Sequence, residues 1–253
     1  MKPILCVRGL TKEFGGVVAN NAIDLELVAG EIHAIIGPNG AGKTTLMAQL
    51  TGEVDPTAGT IEFDGRDIRK LSMHQRAALG IARCYQITSV FMDFPSLDNV
   101  IVSVMATQPG YRRWWKPAIS DPTLAKPAAL LLERVGLGGR ERTVAADLSH
   151  GERRQLELAM ALATDPRLLL LDEPMAGMGP TETKGLIQLI GELRENRSVL
   201  LIEHDMEAVF ALAQRISVLV NGTVIASGTP AAIAADRRVQ EAYLAADETR
   251  QHA

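Results

Sequence analysis

The sequence predicts an α/β fold: a mostly parallel sheet covered by helices, an N-terminal antiparallel β subdomain and a helical insertion subdomain. Three observations predict it. The apolar runs in "EIHAIIG", "RLLLLDEP" and "SVLLIEH" are separated by helix-length segments, and an uninterrupted apolar run suits a strand covered on both faces. The opening stretch instead carries strand-like segments punctuated by Gly15-Gly16 and Asp64-Gly65, the marks of tight turns. Between about residue 72 and residue 147, helical stretches alternate with Pro- and Gly-marked breaks such as "TQPGYRRWWKPAISDPTLAKP".

Taken in order, "ILCVR", "VVANNAIDLEL" and "TIEFD" read as the strands of the β subdomain. "EIHAIIG" reads as a buried strand and "GKTTLMAQLTG" as the helix that follows it. After Leu148 the α/β rhythm returns: helix 149–164, the leucine strand ending at Asp172, helix 181–195, strand "SVLLIEH" and helix 205–214. "ISVLV" and "TVIASG" flank Asn221-Gly222, a strong hairpin signal. The tail from Pro230 is Ala-rich and helical. The layout amounts to one domain over 1–253, with 1–86 and 149–253 forming the α/β core and 87–148 the helical subdomain.

A chain of 253 residues is long enough for such a core with a smaller subdomain attached. Apolar residues at 47% and charged residues at 22% fit an ordinary globular protein. The net charge of -4 offers no bulk attraction to nucleic acid or to an anionic membrane. Cys6 and Cys84 each sit in an apolar stretch, which suits two buried thiols in a reducing compartment rather than a disulfide or metal pair. "MKPILCVRGL" does not read as a signal peptide, and no run approaches the ~20 apolar residues of a spanning helix. A membrane role must therefore come through a partner.

Gly37, Pro38, Asn39, Gly40, Ala41, Gly42, Lys43 and Thr44, followed by Thr45, meet the pattern GxxxxGK[ST] between a predicted strand and a predicted helix. Glycines let the backbone approach oxygen atoms, and successive N–H groups make an anion-binding concavity at a helix N-terminus. Lys43 supplies a point charge to β- and γ-phosphates, and the Thr44 hydroxyl can ligate Mg²⁺. Asp172 and Glu173 close a leucine run, where open α/β sheets bind ligands. There Asp172 would hold Mg²⁺, and Glu173 would orient or deprotonate an attacking water. His204 ends the next apolar run in the same way and could clamp a phosphate. Ser149-His150-Gly151-Glu152 fits S-x-x-E, a capping box.

Together these motifs resemble the nucleotide-binding subunit of an ABC transporter along essentially the whole chain. "GPNGAGKTT" is similar to the Walker A loop, "LLLLDEP" to Walker B, "LSHGE" to the signature motif, "YQ" at 85–86 to the Q-loop and His204 to the H-loop histidine. Phe14 in "TKEFGG" falls where that family places an aromatic ring on adenine. The resemblance implies a P-loop ATPase core with ATP and Mg²⁺, the metal held by Thr44, Asp172 and Gln86. Gln86 would also report the state of the γ-phosphate to the helical subdomain. It implies a head-to-tail dimer, homomeric or heteromeric, in which Ser149 and Gly151 of one subunit complete the ATP site of the other. Further implied partners are transmembrane permease subunits and, indirectly, a periplasmic solute-binding protein, with no nucleic acid. The chain would lie at the cytoplasmic face of the inner (plasma) membrane.

"LSHGERRQLELAMALA", "DEPMAGMGP", "IEHDM" and "VQEAYLA" resemble the ATPases of branched-chain amino acid importers and their urea or amide relatives. His150 and Glu152 stand where the family usually has glycine and glutamine, and "MAGMGP" replaces the common "SALD"; all are familiar in this subgroup. The alternatives are the ATPase of an exporter or lipopolysaccharide-extraction system and a non-transport ABC ATPase. A P-loop kinase or GTPase would leave "LSHGE" unexplained. Trp114-Trp115, flanked by Arg112, Arg113 and Lys116, reads as a solvated loop with half-buried rings or as a partner contact.

Overall fold

Alternation of burial in the first sixty residues, and its loss in the later strands, divides the strands between two sheets. A computed structural model of the chain describes residues 2–85, 89–108 and 118–242. In β1 (Pro3–Phe14) and β2 (Val17–Val28), buried residues such as Ile23, Leu25 and Leu27 alternate with exposed ones, so one face meets the core and the other meets water. β3 (Ile32–Ile36) is buried throughout. After α1 (Lys43–Thr51), strands β4 (Ala58–Phe63) and β5 (Arg66–Asp67) complete an antiparallel sheet of order β2-β1-β4-β5.

The second sheet collects the remaining strands. α2 (Met73–Ala78) leads into β6 (Ile81–Cys84), and α3 (Ser96–Ala106) and α4 (Pro122–Arg134) follow before α5 (His150–Ala163). Then come β7 (Leu168–Asp172), α6 (Pro180–Leu193), β8 (Ser198–Ile202), α7 (Met206–Leu212), the hairpin β9 (Arg215–Val220) and β10 (Thr223–Gly228), and α8 (Pro230–Ala235). The sheet order is β10-β9-β3-β8-β7-β6. All neighbours are parallel except β9 and β10, which join through Asn221 and Gly222, both at positive φ as a two-residue hairpin turn requires.

Strand side chains alternate between two cores. Leu168, Leu170, Leu200 and Ile202 face α1 and the antiparallel sheet with Leu46, Met47 and Phe63. Leu169, Leu171, Val199 and Leu201 face the layer of α3, α4, α5 and α6 with Val100, Leu124 and Leu156.

β6 corrects the reading of the chain beyond Ser72 as helical with breaks. Ile81 to Cys84 pair in register with Leu168 to Leu171 and form the edge of the parallel sheet. The segment is four residues long and contains Arg83, so it lacks the apolar run that marks β7 and β8. Cys84 is buried as expected, but Cys6 is half-buried, because it stands on the outer face of the β subdomain between Glu26 and Glu62.

His33 joins the two sheets. Its Nδ1 lies 3.2 Å from the Glu26 carbonyl oxygen and its Nε2 lies 2.8 Å from Ser217 Oγ. A carbonyl can only accept, so the neutral ring carries its proton on Nδ1 and accepts the Ser217 hydroxyl at Nε2. Burial pulls the pKa of this histidine from 6.5 down to about 4, against the opposing pull of Glu31 and with the help of Arg215. The unfolded chain therefore binds this proton over a range where the fold does not. The associated stability is complete above pH 6.5 and is lost as pH falls through about 4, a total of about 3 kcal/mol. Urea unfolding midpoints should fall across that window, and in His33→Gln the fall should shrink by a corresponding amount. An identical pH profile in the variant would contradict this account.

Candidate functional site

The parallel order β3-β8-β7 places three loops side by side at the C-terminal ends of the strands. The first runs from Gly37 to Gly42. At Gly42, with φ 98, a Cβ would lie 2.3 Å from the Ala19 carbonyl oxygen and 2.5 Å from Asn20 Nδ2. A Cβ at Gly37 would lie 2.0 Å from the Leu219 carbonyl oxygen. Only glycine lets the chain pass so close to its neighbours. Gly42 is also the N-cap of α1, with no side-chain cap, so the first amides of the helix point at whatever anion occupies the loop.

Three further contacts hold this loop. Asn20 Nδ2 donates to the Gly42 carbonyl at 3.1 Å, and Gln49 Nε2 donates to Asn20 Oδ1 at 2.7 Å. From the other side, the turn after β9 contributes the Gly222 amide to the Ala41 carbonyl at 3.0 Å. Lys43, 9% exposed, folds back so that Nζ donates to the carbonyls of Gly37 at 2.7 Å and Pro38 at 3.0 Å. Burial lowers its pKa, while the nearby charges of Glu173 and Asp172 pull it back up. Thr44 is exposed and Thr45 half-buried.

The second loop begins at Asp172, the last residue of β7 and 2% exposed. Arg83 donates through Nη2 to Asp172 Oδ2 at 2.9 Å and through Nη1 to Glu53 Oε1 at 2.8 Å. Burial raises the Asp172 pKa, and the hydrogen bond from Arg83 opposes the rise. Glu173 follows at φ 49, a left-handed conformation that costs a non-glycine residue about 1–3 kcal/mol. Its amide donates to the Ile202 carbonyl at 2.9 Å.

The third loop supplies His204. Its Nδ1 lies 3.8 Å from Glu173 Oε1, and its side chain is largely exposed. Beside it, Glu203 is buried. Its Oε1 accepts from the Met175 amide at 3.0 Å and its Oε2 from the His204 amide at 3.2 Å. Burial raises the Glu203 pKa against these hydrogen bonds. Glu203 thus fixes the chain leaving Glu173 to the turn that carries His204.

Lys43, Asp172, Glu173 and His204 therefore form one cluster. Among the described residues, no hydrogen bond or ion pair takes Ser149 or Gly151 to it. Ser149 caps α5 in a complete capping box: its amide donates to Glu152 Oε2 at 2.8 Å, and its Oγ accepts from the Glu152 amide at 3.1 Å. Gly151 lies against Glu182, and the His150 ring lies against Gly177. His150 thus meets the segment that leaves Glu173. Phe14, at the tip of the first hairpin, is 50% exposed with Lys12 Nζ 4.9 Å from its ring centroid. Gln86 and Trp114-Trp115 lie outside the described residues. Asn20, Gln49, Arg83 and Glu203 are supports that the motifs do not reveal, because each works through a partner distant in sequence.

The sequence pattern of the ABC transporter family matches residues 20–176, from β2 to the turn after Glu173. The chain belongs to the ABC transporter ATP-binding family. Residues 223–244 also match a pattern described as branched-chain amino acid ATP-binding cassette transporter. The chain is 41% identical to the high-affinity branched-chain amino acid transport ATP-binding protein LivG of Salmonella typhimurium, across 96% of this chain and 98% of that protein. It is 39% identical, with the same coverage, to the corresponding protein BraF of Pseudomonas aeruginosa. Its fold superposes with a TM-score of 0.85 on the ADP conformation of an ATP-binding cassette of an ABC transporter, at 27% identity over 96% of this chain and 99% of that one. As a cassette of this family, the chain binds nucleotide and hydrolyses ATP.

The Asn20 bridge gives a direct test of how the cassette holds its nucleotide loop. Asn20→Ala leaves the buried Gln49 amide without this acceptor and frees the Gly42 carbonyl, which should cost about 1–3 kcal/mol in urea unfolding and weaken nucleotide binding. An unchanged midpoint with unchanged affinity would show the bridge to be idle.

Proposed function

We propose that this ATPase powers a membrane importer for branched-chain amino acids or related small polar solutes, as one of two cassettes beneath transmembrane permease subunits. The observation that carries the ATPase part is the convergence of Lys43, Asp172, Glu173 and His204 at adjoining strand ends. The solute reading is supported by the relatives' transport names and by the match at residues 223–244.

The residues fit ATP and Mg²⁺. Glycines at 37 and 42 let the loop pack against Leu219 and Ala19 and leave the N-terminus of α1 without a side-chain cap, which suits phosphate oxygens. The hydroxyl of Thr44 and carboxylate of Asp172 are hard oxygen donors of the kind Mg²⁺ takes. Gln86 is the third candidate ligand. When bound, the metal supplies charge neutralisation across the phosphates. Lys43 exchanges the Gly37 and Pro38 carbonyls for β- and γ-phosphate oxygens. Arg83 occupies one oxygen of Asp172, and the carboxylate would hold the metal through the other. Glu173, whose amide is tied to the Ile202 carbonyl, accepts a proton from the attacking water, and His204 donates to the γ-phosphate beside it. Phe14 offers its exposed ring to adenine.

Ser149 serves two states. As a cap, its oxygen accepts from the Glu152 amide and its hydroxyl hydrogen remains available to donate. Facing a second subunit, that hydroxyl and the Gly151 region at the positive end of α5 would meet the γ-phosphate. Glu152 is turned back onto the Ser149 amide and Arg140, whose Nε lies 3.0 Å from its carboxylate, so its charge is directed away from that phosphate.

No helix among the described residues is long and apolar enough to cross a membrane. Attachment to the cytoplasmic face of the inner membrane would run through the permease, and the periplasmic solute-binding protein would act indirectly. The proposed permease-facing surface lies on the helical subdomain, where Phe91 and Phe94 stack at 5.5 Å and are both nearly half exposed.

In Glu173→Gln, turnover should fall at least about a hundredfold, while ATP binding persists and a dimer accumulates in gel filtration. Near-normal turnover would remove Glu173 from the chemistry. In Lys43→Ala, ATP affinity should fall roughly ten- to a hundredfold, read by equilibrium nucleotide binding; an unchanged affinity would refute the loop assignment. For the solute, proteoliposomes containing the permease should take up leucine only with ATP and a loaded binding protein. ATP-driven leucine efflux, or no leucine movement, would refute this assignment and leave the catalytic one standing.

A further inference from the structure

Tyr85 follows the last residue of β6, and both of its backbone polar groups are held by side chains of α5. Its amide donates to Glu157 Oε1 at 2.9 Å, and its carbonyl accepts from Arg154 Nη1. The backbone of Ser89 hydrogen-bonds the same Glu157 carboxylate. Glu157 and Arg154 are one turn apart on α5, 3.8 Å from each other, and only 5–6% of either side chain is exposed. Burial raises the Glu157 pKa, and the Tyr85 hydrogen bond is the largest influence opposing the rise.

Burying two opposite charges costs desolvation that their mutual attraction only partly returns. A strand end does not require it, since backbone groups are ordinarily satisfied by neighbouring backbone or water. Two buried charges, one on each of the two peptide units that flank the Tyr85 Cα, hold that residue in one position relative to α5. The link continues along β6. Two residues before Tyr85, the Arg83 guanidinium stacks 4.7 Å over the Tyr85 ring and donates to Asp172. α5 carries Ser149 at its N-cap, so charged and hydrogen-bonded side chains run from the helix that Ser149 caps to the carboxylate at the end of β7.

We propose that Glu157, seconded by Arg154, is a positioning residue that locks the end of β6 to α5, so that the Asp172 side of the ATP site and the Ser149 end of α5 move as one unit when two subunits close. The proposal rests on the reading that Ser149 completes the site of a second subunit. Glu157 touches neither nucleotide nor water in this scheme. Its effect appears in closure and not in the first capture of ATP, which belongs to the phosphate loop.

The test uses the full-length chain in the Glu173→Gln background, with Glu157→Ala and Glu157→Gln compared. Glu157→Ala should leave Mg²⁺-free ATP affinity within about twofold, yet raise the ATP concentration for half-maximal dimerisation about tenfold, the scale of one charge-assisted hydrogen bond. Glu157→Gln keeps an oxygen for the Tyr85 amide and should restore most of the dimerisation. Unchanged dimerisation in Glu157→Ala would overturn the proposal. A parallel loss of ATP affinity, dimerisation and thermal stability, without rescue by Glu157→Gln, would overturn it too, leaving Glu157 as a packing residue. Should Glu157→Ala fail to fold, Glu157→Met, which keeps the volume and removes the oxygen that accepts from the Tyr85 amide, takes its place with the same two outcomes deciding. If the Glu173→Gln parent itself fails to dimerise with ATP, the shared-site reading fails, and this is distinguishable from failure of the lock alone.

Discussion

The buried ammonium of Lys43 is the interaction on which the site turns. Taking a compact cation out of water is costly unless oxygen atoms replace its hydration. Here the carbonyls of Gly37 and Pro38 do so, with the charges of Asp172 and Glu173 close enough to be felt. The loop can present those carbonyls only because glycine at 37 and 42 lets it press against Leu219 and Ala19. The order of the sheet serves the same end: β8, which precedes His204, neighbours β3, and β7, which ends in Asp172, lies next to β8, so that their charges reach the loop.

Around that cation the fold concentrates carboxylates that water would otherwise stabilise. Asp172 is matched by Arg83, which also reaches Glu53, and Glu203 is matched by two backbone amides. Each partner is a fixed donor, so the acids are held in one geometry before any ligand arrives, which is the form of preorganisation that favours chemistry over binding alone. The left-handed backbone at Glu173 belongs to the same economy of strain: a less comfortable residue is kept in place because its amide is tied to Ile202 and the chain beyond it to Glu203.

Features whose signal is local could be read from the sequence. The phosphate loop, the capping box at Ser149, the Asn221-Gly222 hairpin and the leucine strand all declare themselves within a few residues, and the structure has them in place. What stayed hidden depends on partners far away in sequence. Asn20 looks like an ordinary strand residue until Gln49 and Gly42 are beside it. Glu203 is concealed by the histidine next to it, and Glu157 reads as one polar position on an amphipathic helix. β6 escaped because Arg83, the residue that gives it a role, breaks the apolar pattern by which buried strands are recognised. Phe14 shows the reverse case, since its motif position was legible and its exposure was not.

The turn at Asn221-Gly222 sits against the phosphate loop, with the Gly222 amide on the Ala41 carbonyl and the Asn21 amide on the Gly222 carbonyl at 2.8 Å. This contact has a consequence in time. The loop leaves the ribosome early and its brace leaves late, with β7, β8 and the helical subdomain made in between. A nascent chain therefore carries its phosphate loop long before this last brace can form. The loop thus acquires its Asn20 and Gln49 braces first and its Gly222 brace last.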